Sequence, residues 1–375
     1  MKYLPPNRRG RRLISALALS SAAALVLAAC GGGGTGETGG EATGGGGGGD
    51  EEVAVTLITK TATNPFFIAM QQGAEEAGKA NNVSITTVAG KADGDEATQI
   101  AALEAATARG DKGVLITPAT DGVNPAIESA RQAGLYVIAL DTPPNPPDTV
   151  DVTFATDNFK AGELIGQWAA GTLNGEKANI AMLDLFNDKV ISVDYNRDQG
   201  FLTGMGIDVA DKTKNGDEAP TGKYTGGKGG DYEIFCNEPT QGSQDQGRSA
   251  METCLAKSKN INLVYSINEP AGVGAAEALE AAGVKATIVS VDGGCPGIAA
   301  VKGGVIGATS QQYPLEMAKL GVEAIAKKVR ENVDPQVTSG LDFYDTGVAL
   351  VTDKPVEGVE SITTAEAEEI CWGKK

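Results

Sequence analysis

From residue 53 onward, short runs that are apolar at nearly every position alternate with longer stretches whose apolar residues recur every three or four positions. Residues 53–58, Val-Ala-Val-Thr-Leu-Ile, form the first run, and a turn at Thr63-Asn64-Pro65 leads to Phe67, Met70, Gln71 and Ala74 at helical spacing. A strand followed by a helix is the reading. The pair recurs as strand 83–88 with helix 98–108, strand 113–117 with helix 124–133, and strand 136–140 before a proline-rich loop. In the second half, strands 178–183, 262–266, 287–291 and 305–308 alternate with helices over 199–209, 271–282 and 315–329. Residues 211–231, polar and rich in Gly and Lys, read as an exposed loop insertion. Strands that are apolar throughout, spaced by amphipathic helices, imply parallel sheets covered on both faces.

Roughly 320 residues follow position 53, more than one hydrophobic core usually serves, so two lobes are expected. No local repeat relates the halves, so the lobes share architecture rather than residues. Ahead of them, Arg8, Arg9, Arg11 and Arg12 precede an apolar stretch over 13–27 that ends Leu27-Ala28-Ala29-Cys30. That stretch falls short of the roughly 20 residues that span a bilayer. It resembles a bacterial lipoprotein signal, over residues 1–30, which implies cleavage ahead of Cys30 and a lipid on its side chain. The bland alternative is an ordinary export signal with an incidental cysteine. Residues 31–52 are mostly glycine with no large apolar side chain, a flexible tether whose reach is on the order of 25 Å. The expected location is outside the cytoplasm, held by lipid at the outer face of the cytoplasmic membrane or in a periplasm.

Composition removes several functions. The formal charge is −18, which opposes nucleic acid and anionic lipid as partners. The chain has no histidine, so Ser-His-Asp and Cys-His nucleophiles and histidine metal sites are excluded. Four cysteines remain after Cys30: Cys236, Cys254, Cys295 and Cys371. In an exported chain they suggest disulfides, with three possible pairings. Cys236 with Cys254, close in sequence, and Cys295 with Cys371, which would staple the C-terminus, are favoured. A zinc site is the rival, but paired CxxC spacing is absent. No cofactor or metal is expected.

In open parallel sheets, ligands gather at the carboxyl ends of strands. The predicted junctions carry Lys60, Asn64, Phe66 and Phe67, then Lys91, Asp93 and Asp95, then Asp141. In the second half they carry Asp194, Asn196 and Arg197, then Asn268 and Glu269, then Asp292, then Gln311 and Gln312. Carboxylates, amides and a guanidinium can each bridge neighbouring hydroxyls, while a ring face covers the C–H side of a sugar. This is polyol chemistry. Each residue also has a plainer reading: Phe66 and Phe67 as core, Asp141, Asp292 and Asn268 as turn or helix-cap residues, Arg197 as one half of a surface ion pair.

Leu57-Ile58-Thr59-Lys60-Thr61-Ala62-Thr63-Asn64-Pro65-Phe66-Phe67, Val137-Ile138-Ala139-Leu140-Asp141, Tyr195-Asn196-Arg197-Asp198-Gln199-Gly200-Phe201, Tyr265-Ser266-Ile267-Asn268-Glu269-Pro270, Val289-Ser290-Val291-Asp292-Gly293-Gly294 and Ala308-Thr309-Ser310-Gln311-Gln312-Tyr313-Pro314 together carry a resemblance. They resemble, in order and over nearly everything after Val53, the ribose/fructose class of periplasmic sugar-binding proteins of ABC importers. The resemblance implies two Rossmann-like lobes joined by a three-strand hinge, the type I periplasmic binding protein fold. It implies an N-terminal lobe from 53–155 plus 313–344 and a C-terminal lobe from 156–312 plus 345–375. It also implies a monomer that takes a monosaccharide and delivers it to a membrane permease. Asn64, Phe66 and Phe67 would then wall the N-terminal side, with the rings sandwiching the sugar. Asp141 would accept from hydroxyls, Arg197 would donate, and Asn268, Asp292 and Gln312 would complete the cage. Asp141-Thr142 stands where ribose binders carry Asp-Arg, and Thr117-Pro118 where they carry Asn-Pro. Lys60, Asp93 and the closing Cys371-Trp372-Gly373 look more like the fructose-binding branch. The alternatives are a sugar-sensing receptor for a chemoreceptor or histidine kinase and, from another class, a glycosidase using two carboxylates such as Asp141 and Asp292.

Overall fold

The computed structural model describes residues 52–373; Cys30, the signal and nearly all of the expected tether lie outside them. The chain begins as predicted, alternating strand and helix: β1 (Val53–Thr59), α1 (Pro65–Ala80), β2 (Val83–Ala89), α2 (Glu96–Arg109), β3 (Gly113–Ile116), α3 (Asn124–Gln132), β4 (Tyr136–Leu140) and β5 (Val152–Ala155). There follow α4 (Asn158–Leu173), β6 (Ala178–Asp184), α5 (Ser192–Met205), β7 (Thr221–Tyr224), β8 (Gly230–Pro239), α6 (Gln244–Lys257), β9 (Leu263–Ser266), α7 (Glu269–Ala282), β10 (Thr287–Asp292), α8 (Cys295–Lys302) and β11 (Ala308–Gln311). The last elements are α9 (Pro314–Glu331), β12 (Tyr344–Asp345), β13 (Ala349–Val351) and α10 (Thr364–Ile370).

Two sheets result. The first runs β12-β5-β4-β3-β1-β2 and is parallel throughout. The second runs β13-β11-β10-β9-β6-β8-β7, parallel in its middle and closed by antiparallel β13 and β7 at its edges. β1 lies between β2 and β3 in the first sheet, and β6 between β8 and β9 in the second. The strand order therefore reverses at β1 in one lobe and at β6 in the other, and the crevice outside such a reversal is where open α/β sheets bind ligands. The chain passes between the sheets three times: after β5, between β11 and β12, and between β12 and β13.

Both faces of each sheet are covered, which is why the strands read as apolar throughout. Val55, Leu57, Leu115, Ile138 and Leu140 pack under α1 and α9, while Ile58, Val114, Ile116 and Val137 pack on the opposite face with Leu103 and Ile127 of α2 and α3. Ile180, Met182, Tyr265 and Val291 meet Trp168 and Phe201, while Leu183, Val264 and Ile288 meet Met251 and Leu279. The disulfides join Cys236 of β8 to Cys254 of α6, and Cys295 of α8 to Cys371 just beyond α10, the pairing favoured from sequence.

Three expectations are corrected. The helix expected over 199–209 is α5, which starts seven residues earlier and stops at Gly206, whose φ of +74° ends it. Its first turns carry Ser192, Asp194, Asn196 and Arg197, polar side chains that read as loop. The strand expected over 305–308 is β11, from Ala308: Val305 is exposed just after a left-handed turn at Gly304, and Ala308 pairs with Val289. The loop over 211–231 contains β7, which pairs antiparallel with β8. Tyr224 of β7 is buried and its hydroxyl donates to the Glu176 carbonyl at 2.7 Å. One aromatic anchors a strand whose other side chains are exposed, so the segment shows no apolar period.

Candidate functional site

Seven strand-to-helix junctions converge on the crevice between the sheets. Lys60 follows β1, Asn64 caps α1, and Phe66 and Phe67 stand in its first turn; Asp93 lies between β2 and α2, and Asp141 follows β4. From the second lobe come Arg197 of α5, Asn268 capping α7, Asp292 ending β10 and Gln312 after β11. All of these line one narrow cavity of about 30 Å³, which Leu185, Val193 and Ile267 close on the apolar side. A wider, solvent-open groove adjoins it, lined by residues such as Ser243, Pro270, Val273 and Pro296. Of the sequence-predicted set Asn64, Asp93, Glu269 and Asp292 face that groove, and the others line the smaller cage or its supports.

Asp141 organises the N-terminal wall. Its backbone sits in the left-handed region, φ +65°, which a short polar side chain tolerates. Thr142 Oγ1 donates to Asp141 Oδ2 at 2.8 Å and accepts from Lys60 Nζ at 2.9 Å. Lys60 Nζ is 3.9 Å from the same carboxylate, and Arg197 Nη2 is 3.8 Å from Oδ1. Two cations from opposite lobes thus flank one buried acid. Asp141 Oδ1 and Gln312 Oε1 are buried with no hydrogen-bond partner, so each keeps an accepting position open.

Arg197 is held from two sides. Its Nε donates to Asn158 Oδ1 at 2.8 Å and its Nη1 to the Ile267 carbonyl at 3.0 Å. Asn158 in turn donates through Nδ2 to the Asp141 carbonyl at 3.2 Å. Asp292, also at positive φ (+150°), accepts from Gln312 Nε2 at 2.9 Å. Desolvation pushes the Asp292 carboxyl up to about 7 against the pull of Arg197. Glu269 accepts from the backbone N–H groups of Gly293 and Gly294 and from Thr309 Oγ1, shaping the turn after β10; burial and then Asp292 push it up to about 8. Asp93 keeps part of its residue surface in solvent while its carboxyl is enclosed, and desolvation, opposed by Lys60, raises it to about 6.

Several of the plainer readings hold, but Arg197 is buried and is not half of a surface ion pair. Asn64 Oδ1 accepts from Phe66 N at 2.9 Å and Asn268 Oδ1 from Ala271 N at 3.1 Å, so both are helix caps as well as cavity walls. Phe66 and Phe67 belong to the lobe's core and line the cavity too. Their rings meet edge to face, 84° apart at 5.3 Å. They form a corner, not the two parallel plates of a sandwich. Asp194 accepts from the N–H groups of Leu185 and Phe186 and shapes their loop, Asp95 caps α2, and Gln311 bonds the Gly293 carbonyl.

Sequence reasoning missed Asn158, the positioning part of Thr142, and Trp372. Trp372 lies edge to face on Phe66 at 5.6 Å and donates through Nε1 to the Gln312 carbonyl at 2.9 Å. A tryptophan directly after a stapling cysteine was the available signal; for Asn158 there was none, since α4 had not been foreseen. Among the described residues no helix is long and apolar enough to cross a membrane.

Comparison with known proteins adds ancestry. The periplasmic binding protein domain profile matches residues 55–332. The ribose import binding protein of Haemophilus influenzae is 27% identical over 289 residues, covering 76% of this chain and 89% of its own length. The D-apiose import binding protein of Actinobacillus succinogenes is 28% identical over 280 residues, covering 74% and 82%. Among solved structures, an ABC transporter solute-binding protein from Agrobacterium vitis with bound D-fucose superposes with a TM-score of 0.68 at 23% identity, covering 85% of this chain and all of the other.

Proposed function

The chain belongs to the periplasmic binding protein domain family, and on that footing we propose that it captures a monosaccharide between its lobes and presents the closed form to the permease of an ABC importer. The carrying observation is convergence: the hydrogen-bonding side chains of seven junctions line one cavity with a corner of two aromatic rings. Sugar touches both lobes only when they close, so binding shifts the open–closed equilibrium. The relatives are binding proteins by name, which supports a non-enzyme.

Within this class fructose is favoured over ribose. Ribose binders resemble Asp-Arg where Asp141-Thr142 stands, and here Lys60 supplies a cation beside Thr142 and Asp141 instead. A point charge on a flexible stem recognises different hydroxyl spacing from a planar guanidinium fork. Lys60, Asp93, Asp141 and Arg197 are the groups assigned to the ligand's hydroxyl and ring oxygens, and a lipid on Cys30 would keep the receptor beside its permease.

Calorimetry of the purified protein with fructose, ribose, xylose, glucose and galactose, paralleled by tryptophan fluorescence, tests this. A fructose response with micromolar affinity is expected, weakened about 10- to 100-fold in Arg197→Ala, the value of one charge-assisted hydrogen bond. Ribose binding tighter than fructose overturns the preference, and no response to any pentose or hexose overturns the sugar assignment.

A further inference from the structure

One residue beyond Arg197, outside the cage, a second set of buried oxygens gathers where β6 ends. Asp184 and Asp198 are fully buried; neither oxygen of Asp184 has a hydrogen-bond partner, nor does Asp198 Oδ2. Gln199, equally buried, spends its amide N–H groups on Asp198 Oδ1 at 2.8 Å and the Lys214 carbonyl at 3.0 Å, which leaves its Oε1 partnerless. Asn215 Oδ1 and Glu218 Oε2, from the segment after α5, are also buried without a partner, as is the hydroxyl of Tyr265 on β9. Asp184, Asp198, Gln199, Glu218 and Tyr265 lie together, and Asn215 bonds the adjacent Asp194. The Asp184 and Asp198 carboxyls are within hydrogen-bonding reach of each other, Glu218 is within that reach of Gln199, and both aspartates act on Tyr265.

Buried polar atoms in native proteins are almost always satisfied, because stripping water from an unpaired oxygen is costly, and more so when it carries charge. The neighbouring cation, Arg197, is engaged by Asn158, Ile267 and Asp141. A proton shared by Asp184 and Asp198 would quiet two oxygens, but it offers nothing to the amide oxygen of Gln199. A cation satisfies all of them at once. The donors are carboxylate, amide and phenol oxygens with no nitrogen or sulfur, the set that suits hard divalent ions. Among the described residues no three His, Cys, Asp or Glu side chains form a metal cage by themselves; here the neutral amide oxygen of Gln199 makes up the number. Calcium accepts six to eight such oxygens in irregular geometry, whereas magnesium demands a near-ideal octahedron.

We propose that Asp184, Asp198 and Gln199, with Glu218 at the margin, hold a calcium-class divalent cation. The ion ties the segment after α5 to β6 and to the helix that carries Arg197 one residue away, and so positions that guanidinium for the ligand.

The purified protein, stripped with EDTA, is melted with and without Ca²⁺ or Mg²⁺ and titrated with Tb³⁺, for which Tyr265 is an antenna. One Tb³⁺ per chain giving tyrosine-sensitised emission that Ca²⁺ displaces is expected. So is a melting temperature raised by about 5 °C at a hundredfold excess of Ca²⁺ over its Kd, with both effects lost in Asp198→Asn. Melting curves of the wild-type protein that EDTA, Ca²⁺ and Mg²⁺ leave unchanged overturn the proposal. An Asp198→Asn variant that melts higher than wild type in Ca²⁺ also overturns it, since that is the signature of an acid pair sharing a proton.

Discussion

Asp292, in the cage beside Asp141, and Glu269, buried under the turn after β10, are acids whose pKa burial raises to about 7 and about 8. A carboxyl whose pKa folding raises holds its proton more tightly in the folded chain. The folded state therefore loses stability as pH climbs from the ordinary carboxylate range, near 4, through the raised values. Asp93 and Asp194, raised to about 6, act in the same direction. Ligand-free protein is expected to melt at a lower temperature at pH 8 than at pH 5. Calorimetric melts across that range should show a shallower fall in Glu269→Gln, which removes the group that titrates highest of those four; an unchanged slope would assign the effect elsewhere. At this scale the sequence was informative because strand ends are readable, and a polar residue at the end of an apolar run has few places to point. The partners that hold those residues were not readable. Asn158 touches Arg197 from 39 positions away, and no local pattern records such a contact.

Helix α5 carries Arg197, and α4 sets its height. The two helices meet through glycines: a Cβ on Gly162 would fall on the Arg197 carbonyl oxygen, and one on Gly200 would fall on the Phe159 carbonyl oxygen. Backbone against backbone leaves no side chain able to give way. Gly162→Ala is expected to destabilise the protein by about 1–3 kcal/mol in denaturant melts, and to weaken sugar binding in the part that still folds, because α5 must lift and take its guanidinium along. Full affinity in that variant would show that the cage tolerates movement of α5. The C-terminal staple works in the same way from the other side: Cys295–Cys371 fixes the residue before Trp372, whose ring closes on Phe66. Patterns with a clear period, such as β1 with α1, were legible. α5 was misplaced because polar functional residues occupy its first turns, and β7 because a two-stranded edge needs only one buried aromatic.

At the scale of the molecule, three chain crossings separate two sheets with equivalent strand order, and the cage takes walls from both. Closure and binding are then one event seen from two sides. If a lipid on Cys30 confines the receptor near its permease, Cys30→Ala is expected to leave sugar affinity unchanged in calorimetry while lowering uptake in cells, since tethering raises effective concentration without adding contacts. Undiminished uptake by the released protein would make the anchor incidental. The sequence by itself determined the fold class and most cage residues, because burial on both sheet faces and the strand-end placement of polar groups are written in local periodicity. Only the tertiary structure decided which neighbours hold those residues, that the two phenylalanines form a corner, and that Asp184 at the end of β6 meets Asp198 and Gln199 of α5. Those facts depend on distances between segments far apart in the chain, which hydrophobic pattern constrains but does not specify.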